Sequence, residues 1–180
     1  MRLAPGLHRI GADLVNSYLI ADATGVTIID AGLPGHWRDL LDELGAAGRS
    51  LRDVRGVVLT HGDTDHLGFA ERLRVDHGVP VHIHAQDAAL ARGESPKAKV
   101  AWGSRRMGPM LRFLWYAARR GGLRPRHVSE VIEIEDDVTL ELPASHVSSM
   151  SPGTLLAASS CTRLPSTRCS SVTHSPPGTC

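Results

Sequence analysis

The stretch "VVLTHGDTDHLG", residues 57–68, sets His61, Asp63, Asp65 and His66 within six positions, directly after a run of apolar β-formers. Side chains alternate along an extended chain, so His61 and Asp63 share a side. If the chain then turns into a helix beginning near His66, Asp65 and His66 swing toward the same point. Imidazole and carboxylate together suit Zn²⁺, Fe or Mn²⁺, and the extra carboxylate moves the balance away from pure zinc chemistry. A metal held there would bring the pKa of its water to roughly 7, which makes a nucleophile available at neutral pH. The plainer alternative spends Asp65 on a helix N-cap and leaves Asp63 solvated in the turn. Capping explains one aspartate but not two histidines flanking two aspartates at a strand end.

Outward from this stretch, strands and helices alternate. "LVNSYLIAD" and "GVTIIDAG" read as two strands joined by a turn, and "HWRDLLDELGAAG" has helical spacing with a closing glycine. "LRDVRGVVLT" reads as a buried strand, "HLGFAERLRVDHG" as a helix and "VPVHIHA" as a strand. Residues 98–120 read as one or two helices, and "VSEVIEIEDDVTLELP" as two further strands. This order predicts an α+β chain in which sheet layers are covered by helices.

On these residues the chain resembles the metallo-β-lactamase fold superfamily. Its usual signature is T-H-x-H-x-D-H-x-G, and Thr60, His61, Asp65, His66 and Gly68 match it. "NSYLI" at 16–20 and "IIDAGLPG" at 28–35 are similar too, with Asp30 at the place of an acidic residue beside the metal site. The likeness runs from about residue 5 to residue 142. It implies an αββα sandwich and two divalent metals, zinc first with iron or manganese as alternatives. His61 would ligate the first metal, Asp65 and His66 the second, and Asp30 would steer a ligand histidine from behind. The implied activity is hydrolysis of an ester, thioester, lactone or related small molecule by metal-bound hydroxide, with Asp65 also orienting the attacking water. Asp63 departs from the pattern, which has histidine there. A carboxylate at that place is reminiscent of the diiron oxygen-reducing branch, but no flavin domain accompanies it, so hydrolysis is the favoured reading.

Among the remaining histidines, His82 and His84 share one face of a strand and read as ordinary sheet residues. His8, His36, His77 and His127 are isolated and receive no role. Residues 95–129 hold nine Lys or Arg and no acid, interleaved with Trp102, Met107, Met110, Phe113, Leu114, Trp115 and Tyr116. This segment reads as a basic helical lid whose positive field draws in an anionic substrate. A helical hairpin with a solvated basic face and a membrane-surface helix are its alternatives. A formal net charge of +1 gives nucleic-acid binding little support. The apolar runs are too short to span a bilayer, and the N-terminus lacks an apolar h-region, so a cytoplasmic location is expected.

The second half of the implied site is missing. The resemblance calls for a "P-G-H-T-P-G"-like loop, a bridging aspartate and a late histidine, and beyond residue 144 there is no aspartate at all. Residues 144–180 hold ten serines against five in the first 143, all three cysteines, and no Asp, Glu or Lys. As composition, this is a disordered tail. Read one base out of register, it is something else. Met150 is ATG, so its AT preceded by C gives His, and its G before the TC of a serine codon gives Val. Continued with permitted third bases, the shifted frame spells Val-Pro-Gly-His-Thr-Pro-Gly-Ser, and further on Phe-Val-Gly-Asp-Ala-Leu. Both motifs come in family order. We therefore expect residues 1–143 to be the N-terminal part of the fold, its second half incomplete, and 144–180 to be an out-of-frame tail. An inactive truncated remnant is the competing expectation.

Overall fold

Alternating apolar residues build the first strands. β1 (Arg2–Ala4), β2 (Leu7–Ala12), β3 (Val15–Ala21) and β4 (Val26–Ile29) form an antiparallel meander in a computed structural model of the protein. The structure describes residues 1–95, 107–124, 126–136, 138–143, 145–149 and 155–157. After β4 the hydrophobic period switches from strand to helix and back. Each crossover helix then returns the chain to a parallel neighbour: β5 (Val54–Leu59), β6 (Val81–His84) and β7 (Ile132–Ile134). The sheet order is β1-β2-β3-β4-β5-β6-β7. A second sheet of β8 (Thr139–Leu142), β9 (Ser145–Ser149) and β10 (Leu155–Ala157) is antiparallel.

The helices α1 (Trp37–Ala46), α2 (Ala70–His77) and α3 (Ala85–Ala91) cover one face of the large sheet. Leu40 and Leu44, Leu73, and Ala88 and Ala91 pack there against Ile10, Leu19, Ile28, Val57, Leu59, Val81 and Ile83. Register places Tyr18, Ile29, Val58, His82 and Ile132 in one row on the other face. β8 approaches that face. The Leu142 side chain sits where Gly56 would carry a Cβ, and Thr27 Oγ1 donates to the Pro143 carbonyl at 2.7 Å. Two sheets with helices outside match the expected α+β sandwich.

One expectation shifts. The helix after the ligand stretch begins at Ala70, not near His66, and its N-cap is Phe69. Residues 61–69 instead form turns pinned by backbone bonds from Ala31 N–H to the His66 carbonyl and from Gly68 N–H to the Gly32 carbonyl, both 2.7 Å. Gly68 presses against the Leu33 backbone, which leaves no room for a side chain. Within the basic segment, helix α4 (Met107–Arg119) is described, while residues 96–106 and 125 lie outside the described residues. Most of the expected tail also lies outside them, apart from the backbone of β9 and β10.

Candidate metal centre

The parallel strands β4 and β5 end side by side, and every residue of the expected cluster follows one of these two ends. Asp30 comes directly after β4 and has φ of 61°, a left-handed conformation that aspartate tolerates better than most residues. It is buried, and its carboxylate accepts from the Thr60 backbone N–H at 2.8 Å and from Thr60 Oγ1 at 2.8–2.9 Å. These bonds offset the backbone cost, which is about 1–2 kcal/mol.

Thr60 passes the constraint on. Its hydroxyl proton is committed to Asp30, so the 2.9 Å contact from His61 Nδ1 to Thr60 Oγ1 requires Nδ1 to be the donor. His61 Nε2 is then left with a lone pair, and it lies 3.6 Å from Asp63 Oδ2. His66 is set by Asp30 directly: its Nδ1 lies 2.9 Å from Asp30 Oδ2. That approach is too oblique to count as a hydrogen bond, so we read it as an ion pair. His66 Nε2 points the other way, 3.8 Å from Asp65 Oδ2. The two imidazole rings have centroids 3.8 Å apart. One buried carboxylate therefore aims both ring Nε2 atoms outward.

The electrostatics follow from the carboxylates. Burial alone lowers the His66 pKa, but the Asp30 contact and the charges of Asp65 and Asp63 outweigh it, and the net shift is upward. The cluster is a cation site by charge: three aspartates surround two histidines.

The donors fit a metal in kind and in pairwise spacing. Two ligands on one tetrahedral ion with bonds near 2.0–2.2 Å sit roughly 3.4 Å apart. The His61–Asp63 and His66–Asp65 pairs, at 3.6 and 3.8 Å, come close to that separation. Among the described residues, however, no three His, Cys, Asp or Glu side chains are arranged to hold one ion. Each pair is two-thirds of a minimal site.

The structure thus brings His61, Asp63, Asp65, His66 and Asp30 together. His84 is engaged otherwise: its Nδ1 accepts from the Gln86 N–H at 3.2 Å and caps α3, with Nε2 3.2 Å from Asp136. Burial lowers the His82 pKa. Sequence reasoning gave Thr60 no role beyond matching the signature. Its place between Asp30 and His61 was signalled only by that match. His36 was passed over as isolated. It is fully enclosed, accepting from the Leu33 N–H at Nδ1 (3.3 Å) and lying 2.7 Å from Tyr116 Oη at Nε2.

Comparison with known proteins bears on the fold and the family. The family profile described as Metallo-beta-lactamase superfamily matches residues 10–155. A Bacillus subtilis protein described as "Probable metallo-hydrolase YflN" is 28% identical over 94 residues, 51% of this chain and 36% of that protein. Among solved structures, the class B3 di-zinc metallo-beta-lactamase LRA-12 from an Alaskan soil metagenome superposes with a TM-score of 0.61 at 22% identity. The match covers 86% of this chain and 54% of that one. A B3 metallo-beta-lactamase described as having an active-site glutamic acid gives a TM-score of 0.62 at 19% identity, covering 86% and 54%. The chain thus matches about a third of the curated relative's length and about half of the solved structures'.

Proposed function

The chain belongs to the metallo-beta-lactamase superfamily, and from that premise we propose that it derives from a metal-dependent hydrolase. Its substrate would be a small ester, thioester, lactone or related electrophile. The observation that carries this reading is the pair of His–Asp couples at one strand end, both aimed by Asp30.

His61 and Asp63 would hold one divalent metal, and Asp65 and His66 a second. Zinc is the first expectation, with iron or manganese as alternatives because of the hard oxygen of Asp63. When bound, the metals would acidify a water to near neutral pKa. Asp65 would orient that water, and Asp30 would keep both Nε2 lone pairs turned toward the ions, directly for His66 and through Thr60 for His61. The basic charge of α4 would favour an anionic substrate.

Metal analysis of the purified 180-residue chain tests this. Near two equivalents supports a working centre. His61→Ala and Asp65→Ala should then each lower metal content sharply while leaving the circular dichroism spectrum in place, and unchanged content in both variants would sink the assignment. Asp63→His should move selectivity toward zinc. A panel of thioester, lactone and phosphodiester substrates then narrows the reaction. The second reading, an inactive remnant, rests on the absence, among the described residues, of a third donor beside each pair. Substoichiometric metal supports it.

A further inference from the structure

Helix α4 has two apolar faces, and among the described residues only one is packed. Phe113, Tyr116 and Ala117 pack inward against Val15 and Leu33. Leu111, Leu114, Trp115 and Ala118 follow the same i, i+3, i+4, i+7 spacing on the opposite side. There Leu111, Leu114 and Trp115 are 59%, 44% and 60% exposed, and Leu123 just beyond the helix is 71% exposed. Single exposed apolar residues are common, whereas three large ones lined up on one helix face mark a contact surface.

The charge around this line is of one sign. Arg112, Arg119 and Arg124 pair with no carboxylate among the described residues, and the Arg119 guanidinium lies 4.3 Å over the Trp115 ring. Residues 95–129 contain no acid.

We propose that this face of α4 docks on the surface of an anionic lipid bilayer. The helix would lie in the interface, with Leu111, Leu114 and Trp115 entering the acyl boundary and the arginines meeting lipid phosphates. It lies on the membrane and does not cross it, since no helix among the described residues is long and apolar enough to span. A second copy fits less well: a two-fold α4–α4 contact sets arginine against arginine with no carboxylate on either helix. Nucleic acid offers phosphates but no apolar layer for the leucines. A bilayer with anionic headgroups supplies both partners.

Vesicle flotation of the 180-residue chain tests the proposal, because aggregates do not float. Phosphatidylcholine vesicles are compared with phosphatidylcholine–phosphatidylglycerol vesicles at low and high salt. The chain should float with the mixed vesicles, stay below with phosphatidylcholine alone, and be released by salt. Leu111→Ser combined with Trp115→Ser should weaken partitioning by about tenfold or more. Arg112→Glu combined with Arg119→Glu should weaken it by a similar factor, about tenfold. Circular dichroism should stay unchanged in both, since these side chains are exposed. Absent flotation, equal flotation with neutral vesicles, or undiminished binding by both variants overturns the proposal. So does self-association without lipid that these substitutions abolish. None of these readouts depends on metal or catalysis.

Discussion

On the helix-covered face of the large sheet, Ile10, Leu19, Ile28, Val57, Leu59, Val81 and Ile83 expose at most 2% of their surface. On the opposite face Thr27 and Val58 are enclosed at the centre, but Tyr18 exposes 36% and Ile132 48% toward the flanks, and Ile20 and Ile29 are half-buried. The two faces belong to the same strands, so propensity cannot explain the contrast. Sequence distance does. Each crossover helix follows the strand it covers within a few residues, so the outer layer is delivered locally. The inner face needs strands from later in the chain, and among the described residues contact with it comes through Leu142 and Pro143 of the β8 segment.

The largest effect expected from this contrast concerns the reading frame. If the chain after β8 is encoded one base out of register, resequencing the codons for about Leu142 to Val147 should reveal a lost base. Restoring it should give a chain that binds near two metal equivalents and hydrolyses substrate, and whose melt is sharper than that of the 180-residue chain. Third bases that do not spell Pro-Gly-His-Thr-Pro-Gly in the shifted frame end the idea.

Single substitutions sharpen the same comparison. Phe69, 1% exposed in the outer core, should cost about 3–5 kcal/mol on Phe69→Ala. Ile132→Ala on the inner face should cost less than about 1 kcal/mol in urea unfolding, as half-exposed residues do. In the restored chain the second value should climb toward the first. Equal costs in the present chain would mean that the inner face is already covered.

How much of this was legible in sequence follows from the same locality. The ligand stretch announced itself because four donors sit within six residues, and the strands before and after it because their apolar periods are short-range. Asp30 was legible only through resemblance, being thirty positions from the Thr60 that holds it. The helix start was misplaced because Asp65 and His66 looked like an N-terminus, whereas the turns through residue 69 are fixed by backbone bonds to Ala31 and Gly32. His36 was illegible because its partner Tyr116 lies eighty positions away.

His36 also gives the smallest expected effects, at the seam between the outer layer and α4. Its Nδ1 accepts from the Leu33 N–H, so in the neutral ring Nε2 carries the proton and donates to Tyr116 Oη. Protonating Nδ1 would remove that acceptor inside an enclosed site. Burial first, with Arg120 adding and Asp39 opposing, lowers the pKa from 6.5 to about 4. The sign follows. Above pH 6.5 the ring is neutral folded and unfolded, and its contribution to stability is complete. As pH falls from 6.5 toward 4, the unfolded chain takes up a proton that the native state refuses, and stability drops by up to about 3 kcal/mol. Below about 4 this group adds no further slope. The His8 and His82 pKa values are lowered as well, mainly by burial, so His36→Asn should reduce the acid slope of urea stability, not abolish it. An unchanged slope would show that His36 is not the group responsible. Tyr116→Phe, measured at neutral pH, should cost only about 1–2 kcal/mol, the price of leaving one buried N–H without its acceptor.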